Sequence, residues 1–100
     1  MTTETAHWST GPLHAALVSC LPTFVKEPFS PAPKLNIPEL KVAVGMSHEA
    51  VYGWLRRNRL NPRNAQKLVD LANTDANVAA LRRLGRKAPK IEDFNRFVFA

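Results

Sequence analysis

The groups that carry most enzyme chemistry are sparse in this chain and badly placed for it. His7, His14 and His48 stand apart, with no second histidine four residues away and no cysteine or carboxylate at ligand spacing, so no metal centre is expected. Ser47 next to His48 is the one adjacent pair of nucleophile and base. Neighbours at a helix start point in different directions, however, and no acid stands ready to orient the histidine. There is no glycine-rich phosphate loop, and neither an enzymatic function nor a cofactor is expected. What remains is a dense polar stretch over residues 47 to 64. Ser47, His48 and Tyr52 can each donate or accept a hydrogen bond, Glu49 can accept, and Arg56, Arg57, Arg59 and Arg63 follow within a few turns. Donors and acceptors grouped this way suit the edges of nucleic-acid bases, and the arginines suit phosphates.

The flanking pattern supplies the elements that must hold these groups. Leu40, Ala43 and Val44 give a first helix one apolar face; Val51, Trp54 and Leu55 give a second helix a matching one. Between them Gly45 can take the left-handed conformation that stops a helix within one residue, and Ser47 can accept from the free N–H groups of the next. This predicts a helix-turn-helix over about residues 37 to 58. With Val51, Trp54 and Leu55 turned inward, the helical period places His48, Glu49, Tyr52, Gly53 and Arg56 on the outer side. Glu49 there is equally a favourable charge in a first helical turn. Gly53 costs about 1 kcal/mol against alanine inside a helix, and close approach to DNA or to a neighbouring helix would compensate.

Leu40, Ala43, Val44, Gly45, Met46, Ser47, Ala50, Val51 and Trp54, with the segment Arg56 to Ala72 behind them, resemble the lambda-repressor-like, Cro-type helix-turn-helix DNA-binding proteins. The resemblance spans roughly residues 36 to 73. It departs at Lys41, where the family normally places a small residue between the two helices; the expected solution is a lysine stem lying along the interface with its ammonium in water. The resemblance implies that double-stranded DNA is the partner. Bases would be read from Ser47, His48, Glu49, Tyr52 and Gly53, and backbone phosphates bound by Arg56, Arg57, Arg59, Arg63 and Asn64, with Lys34 and Lys41 weaker contributors. It also implies pairing, because one such unit reads few base pairs and two half-sites multiply discrimination.

Composition agrees. The chain has 100 residues and a formal charge of +6, enough for one small domain. Lys26 and Lys34 balance Glu4 and Glu27 up to residue 36, so the whole excess lies in residues 37 to 100, where twelve Lys and Arg face six Asp and Glu. A basic half that coincides with the motif suits a phosphate-binding face. The single Cys20 fits a reducing compartment and reads as a small apolar residue. No leader and no membrane span are expected, and the cytoplasm of a bacterial or phage-infected cell is the expected location.

Elsewhere the pattern is helical. Residues 1 to 11 read as a flexible N-terminus. From Pro12 onward Leu13, Ala16, Leu17, Cys20, Leu21 and Phe24 mark an amphipathic helix that Pro22 must kink or end. Residues 27 to 36 read as a proline-rich extended connection anchored by Phe29 and Leu35. Asn36 with Glu39 and Asn61 with Pro62 mark helix starts; Asp75 is expected to cap a fifth helix with Val78, Leu81 and Leu84 inward and Gly85 at its end. Ile91, Phe94, Phe97 and Val98 recur at helical spacing, with a short strand at 96 to 99 as the alternative. The expected fold is all-α, five to six short helices around Leu17, Leu21, Leu40, Val44, Val51, Trp54, Leu55, Leu68 and Val69, in a single domain over residues 12 to 100. The expected function is that of a phage or prophage transcriptional regulator, most simply a repressor, acting as a homodimer whose contact comes from Ile91, Phe94, Phe97, Val98 and Phe99 or from the first helix. The alternative is the same scaffold used as a protein-interaction module, an antitoxin or an inhibitor of a host protein.

Overall fold

Pro12 opens the first helix and Pro22 closes it. Pro12 occupies the first helical position, where its missing N–H is no loss, and α1 runs Pro12–Cys20. It cannot continue through Pro22, so the chain tightens into a 3-10 turn, Pro22–Phe24. The computed structural model of the chain describes residues 8 to 27 and 29 to 98; residues 1 to 7 and Phe99 lie outside them. Then follow β1 (Val25–Lys26), β2 (Lys34–Leu35), α2 (Ile37–Val44), α3 (His48–Arg57), α4 (Pro62–Ala72), α5 (Asp75–Arg83), a 3-10 turn at Ile91–Phe94 and α6 (Asn95–Val98). Among the described residues six α-helices carry the fold, and the C-terminal segment is helical rather than a strand. No helix among the described residues is long and apolar enough to cross a membrane.

The helix starts follow local chemistry. Asn36 and Asn61 accept from the backbone N–H three residues on, at 3.4 Å from Glu39 and 2.7 Å from Asn64, each just ahead of a proline in the first turn. The fifth helix differs from expectation. Thr74 holds its N-cap position with its hydroxyl turned back to donate to the Leu71 carbonyl, and Asp75 is the first helical residue, where its charge still favours the helix N-terminus. At its other end Leu84 lies beyond the last helical residue and is 40% exposed rather than inward, because Gly85 takes φ +69° and turns the chain away.

The proline-rich connection closes on itself. β1 and β2 pair antiparallel with Val25 opposite Leu35 and Lys26 opposite Lys34, a ladder the residue pattern did not announce. Leu35 anchors it as expected. Phe29 does not: it stands at the tip between the strands, where Ser30 donates to the Glu27 carbonyl, and is 90% exposed.

One apolar core holds the helices together. Leu13 and Leu17 from α1 and Leu21 just past its end meet Leu40 and Val44 from α2, Val51, Trp54 and Leu55 from α3, and Leu68 and Val69 from α4. Phe94 and Phe97 belong to this core, at 2% and 3% exposure, and Leu60 donates to the Phe97 carbonyl at 3.0 Å. The expected dimer contact through these two phenylalanines is therefore corrected: burying them closes the monomer. Polar groups also bind the core's edge. Asn77 is fully buried, donating to the Cys20 and Ala72 carbonyls at 2.9 and 2.8 Å and accepting from the Thr23 hydroxyl at 2.8 Å. It satisfies carbonyls left open at the ends of α1 and α4.

Candidate nucleic-acid interface

The turn between α2 and α3 is three residues long, Gly45 to Ser47, and its hydrogen bonds show why it is so tight. Gly45 adopts φ +70°, ψ +35°; its N–H reaches the Val42 carbonyl at 3.2 Å and the Met46 N–H reaches the Lys41 carbonyl at 3.0 Å. This is the Schellman arrangement, which satisfies the last carbonyls of α2 while reversing the chain. Lys67 adds its ammonium to the Val44 carbonyl at 3.4 Å. Ser47 then accepts from the Ala50 N–H at 3.2 Å, and α3 begins at once. At the far end of α3, Asn58 repeats the left-handed turn at φ +54°, and Arg59 donates to the Trp54 carbonyl. The Asn58 side chain accepts from the Leu13 N–H at 3.1 Å, capping α1 from a distance and tying the two helices.

Val51, Trp54 and Leu55 face inward, so α3 presents its other side to solvent. Ser47, His48, Glu49, Arg56 and Arg57 are exposed there, with Arg59 and Arg63 just beyond. Three expected site residues stand differently. Tyr52 is half-buried, its ring edge-on to Trp8 at 5.1 Å and to His48 at 6.2 Å. Gly53 has the outward angle but is buried, because the guanidinium of Arg57 lies over it; a Cβ at Gly53 would stand 3.1 Å from Arg57 Nη2. Gly53 is thus covered by the flexible end of an arginine, and direct base reading there requires that arginine to move. Asn64 is corrected outright: it is 5% exposed and its N–H is taken by Asn61, so it offers a phosphate neither its side chain nor its backbone. Lys41 is half-buried on α2, between buried Leu40 and exposed Val42.

Two contributors, one basic and one aromatic, escaped the reading of the sequence. Arg96 of α6 meets Arg57, Arg59, Asn58, Pro12 and Phe97 around one open hollow at the C-terminal end of α3, with its guanidinium stacked 4.6 Å from the Phe97 ring centre. Nothing local marks Arg96; only burial of Phe97 brings it there. The second is Trp8, which lies against both Tyr52 and His14, at 5.1 and 5.3 Å between ring centres, and so brings the chain ahead of α1 beside α3.

Not every reactive group belongs to this face. His14 is buried, and its Nε2 accepts from the Leu35 N–H at 3.3 Å, a structural tie between α1 and β2. Cys20 is pushed up to about 12 by burial, with Asp93 adding to the shift against a backbone hydrogen bond, so the thiol stays protonated and poorly nucleophilic at neutral pH. No family model, no curated protein and no solved structure matches this chain.

Proposed function

We propose that this protein binds double-stranded DNA and reads its sequence by laying α3 in the major groove, as a transcriptional regulator of the phage or prophage repressor kind working in the cytoplasm. The observation that carries this reading is the pairing of a three-residue turn, Gly45 to Ser47, with a helix whose exposed side holds His48, Glu49, Arg56 and Arg57. A helix about 10 Å wide enters a groove about 12 Å wide only if one long side is unobstructed, and α3 is anchored by Val51, Trp54 and Leu55 on the opposite side. His48 and Ser47 offer donors and acceptors to base edges, and Glu49 accepts from a cytosine amino group. The arginine hollow at the end of α3 takes backbone phosphates, which position the helix without reading sequence. Two copies on neighbouring half-sites multiply the discrimination, through a contact other than Phe94 and Phe97.

The second reading, a scaffold for a protein partner, draws on exposed Phe29 beside Pro22, Ala80 and Leu84. Selection from random duplexes separates the two. DNA reading requires an enriched motif, and Arg56→Ala with Arg57→Ala should weaken selected and random duplexes alike while lowering the slope of log K against log[salt] by about one to two. Recovery of no enriched motif, or an unchanged slope in the double variant, rejects the DNA-reading role of α3.

A further inference from the structure

Lys26 and Lys34 stand directly opposite each other across a ladder of only two residues per strand, and both are exposed. Like charges in that position destabilise the pairing, and so short a ladder has little to set against them. No carboxylate among the described residues forms an ion pair with either lysine. The strands are nonetheless held firmly: Leu35 is buried with its N–H on His14, and Asn36 donates to the Phe24 carbonyl at 2.7 Å. A repulsive pair fixed on a rigid support attracts an anion.

Its surroundings identify which anion. The two lysines share a hollow of about 110 Å³ with Trp8, Leu35, Ile37, Pro38 and Tyr52. The hollow is open to solvent on one side, so a phosphate group can reach both ammonium groups. Tyr52 belongs to α3 and touches both Trp8 and His48, so the hollow opens beside the helix that reads bases. Its apolar and aromatic walls keep water from one side of the ammonium groups and strengthen their field. A helix in the major groove is bordered by two phosphate backbones. The arginine hollow serves the end of α3, and the lysine pair lies on the Tyr52 side.

We propose that the Lys26–Lys34 ladder, with Trp8 and Tyr52 beside it, is a second backbone-binding element that takes a phosphodiester of the DNA strand flanking α3. This rests on α3 being the DNA-reading helix. The test is fluorescence anisotropy of the full chain with a selected and a random duplex between about 50 and 200 mM salt, the range over which phosphate contacts separate. Lys26→Ala with Lys34→Ala should lower the slope of log K against log[salt] by about one to two, weaken both duplexes equally and keep their affinity ratio. The melting temperature should hold or rise as the repulsion is removed, and Lys26→Arg with Lys34→Arg should keep the wild-type slope. A wild-type slope in the alanine variant overturns the lysine contact and leaves α3 reading intact. Failure of the wild-type chain to bind any duplex overturns both.

Discussion

Asn77 shows how much one residue can hold. It is buried at a junction of α1, the turn after it, α4 and α5, where its amide and carbonyl meet Cys20, Ala72 and Thr23. A buried carbonyl stripped of its partner costs about 1 to 3 kcal/mol. Asn77→Ala strips two carbonyls and a hydroxyl, and relaxation recovers part of the loss, so a destabilisation of about 2 to 4 kcal/mol is expected. Urea denaturation should show it as a lower midpoint at unchanged slope; a midpoint within error of wild type would remove Asn77 from the list of structural ties. Such a residue on a helix otherwise rich in alanine and arginine gives no sign of its role. An asparagine three places into a helix is as readily a solvated one.

At the scale of elements, two glycines in and beside α3 make opposite demands. Gly45 sits at φ +70° with no atom within 4 Å of where a Cβ would stand, so Gly45→Ala meets no clash and should cost only the left-handed conformation, roughly 1 to 2 kcal/mol. Gly53 lies inside α3 with ordinary helical backbone, and the atoms nearest a Cβ there are the movable end of Arg57. Gly53→Ala should therefore stabilise the domain by up to about 1 kcal/mol, while displacing Arg57 and loosening duplex binding. Thermal melts of the two variants, run together, check the signs. Gly45→Ala melting above wild type, or Gly53→Ala below it, would show that the turn or the outer face of α3 is built otherwise.

For the whole molecule, the C-terminal segment decides whether a monomer exists. Phe94 and Phe97 close the core from beneath α4, and removing one buried phenylalanine side chain costs about 3 to 5 kcal/mol. Losing both approaches the entire stability of a domain this size, about 5 to 15 kcal/mol. Deleting residues 91 to 100 should abolish cooperative unfolding, seen as a sloping melt in circular dichroism with no transition. A truncated chain that still melts sharply would return these phenylalanines to an interface role.

The elements were legible in the residues because their signals are local. Asn36 and Asn61 ahead of prolines, Gly45, Ser47 and the period of Leu40, Val44, Val51, Trp54 and Leu55 each act within one or two turns, and the structure places α2, α3 and α4 where those signals put them. The exposed side of α3 follows from the same period, which is why the exposure of Ser47, His48, Glu49 and Arg56 was legible. What depends on partners far along the chain was not legible. Asn58 capping Leu13 spans 45 residues and Asn77 reaching Cys20 spans 57, while Lys26 faces Lys34, and Arg57 meets Arg96, only once the core has closed. Asn64 and Phe97 turned inward for a related reason: a residue at a helix end can point either way by its own preferences, and the available apolar space decides. Local signals fix the helices and most of their inward positions, Leu84 excepted, whereas packing between distant segments sets which polar and charged groups stand together, because packing energy is shared among residues that no local pattern connects.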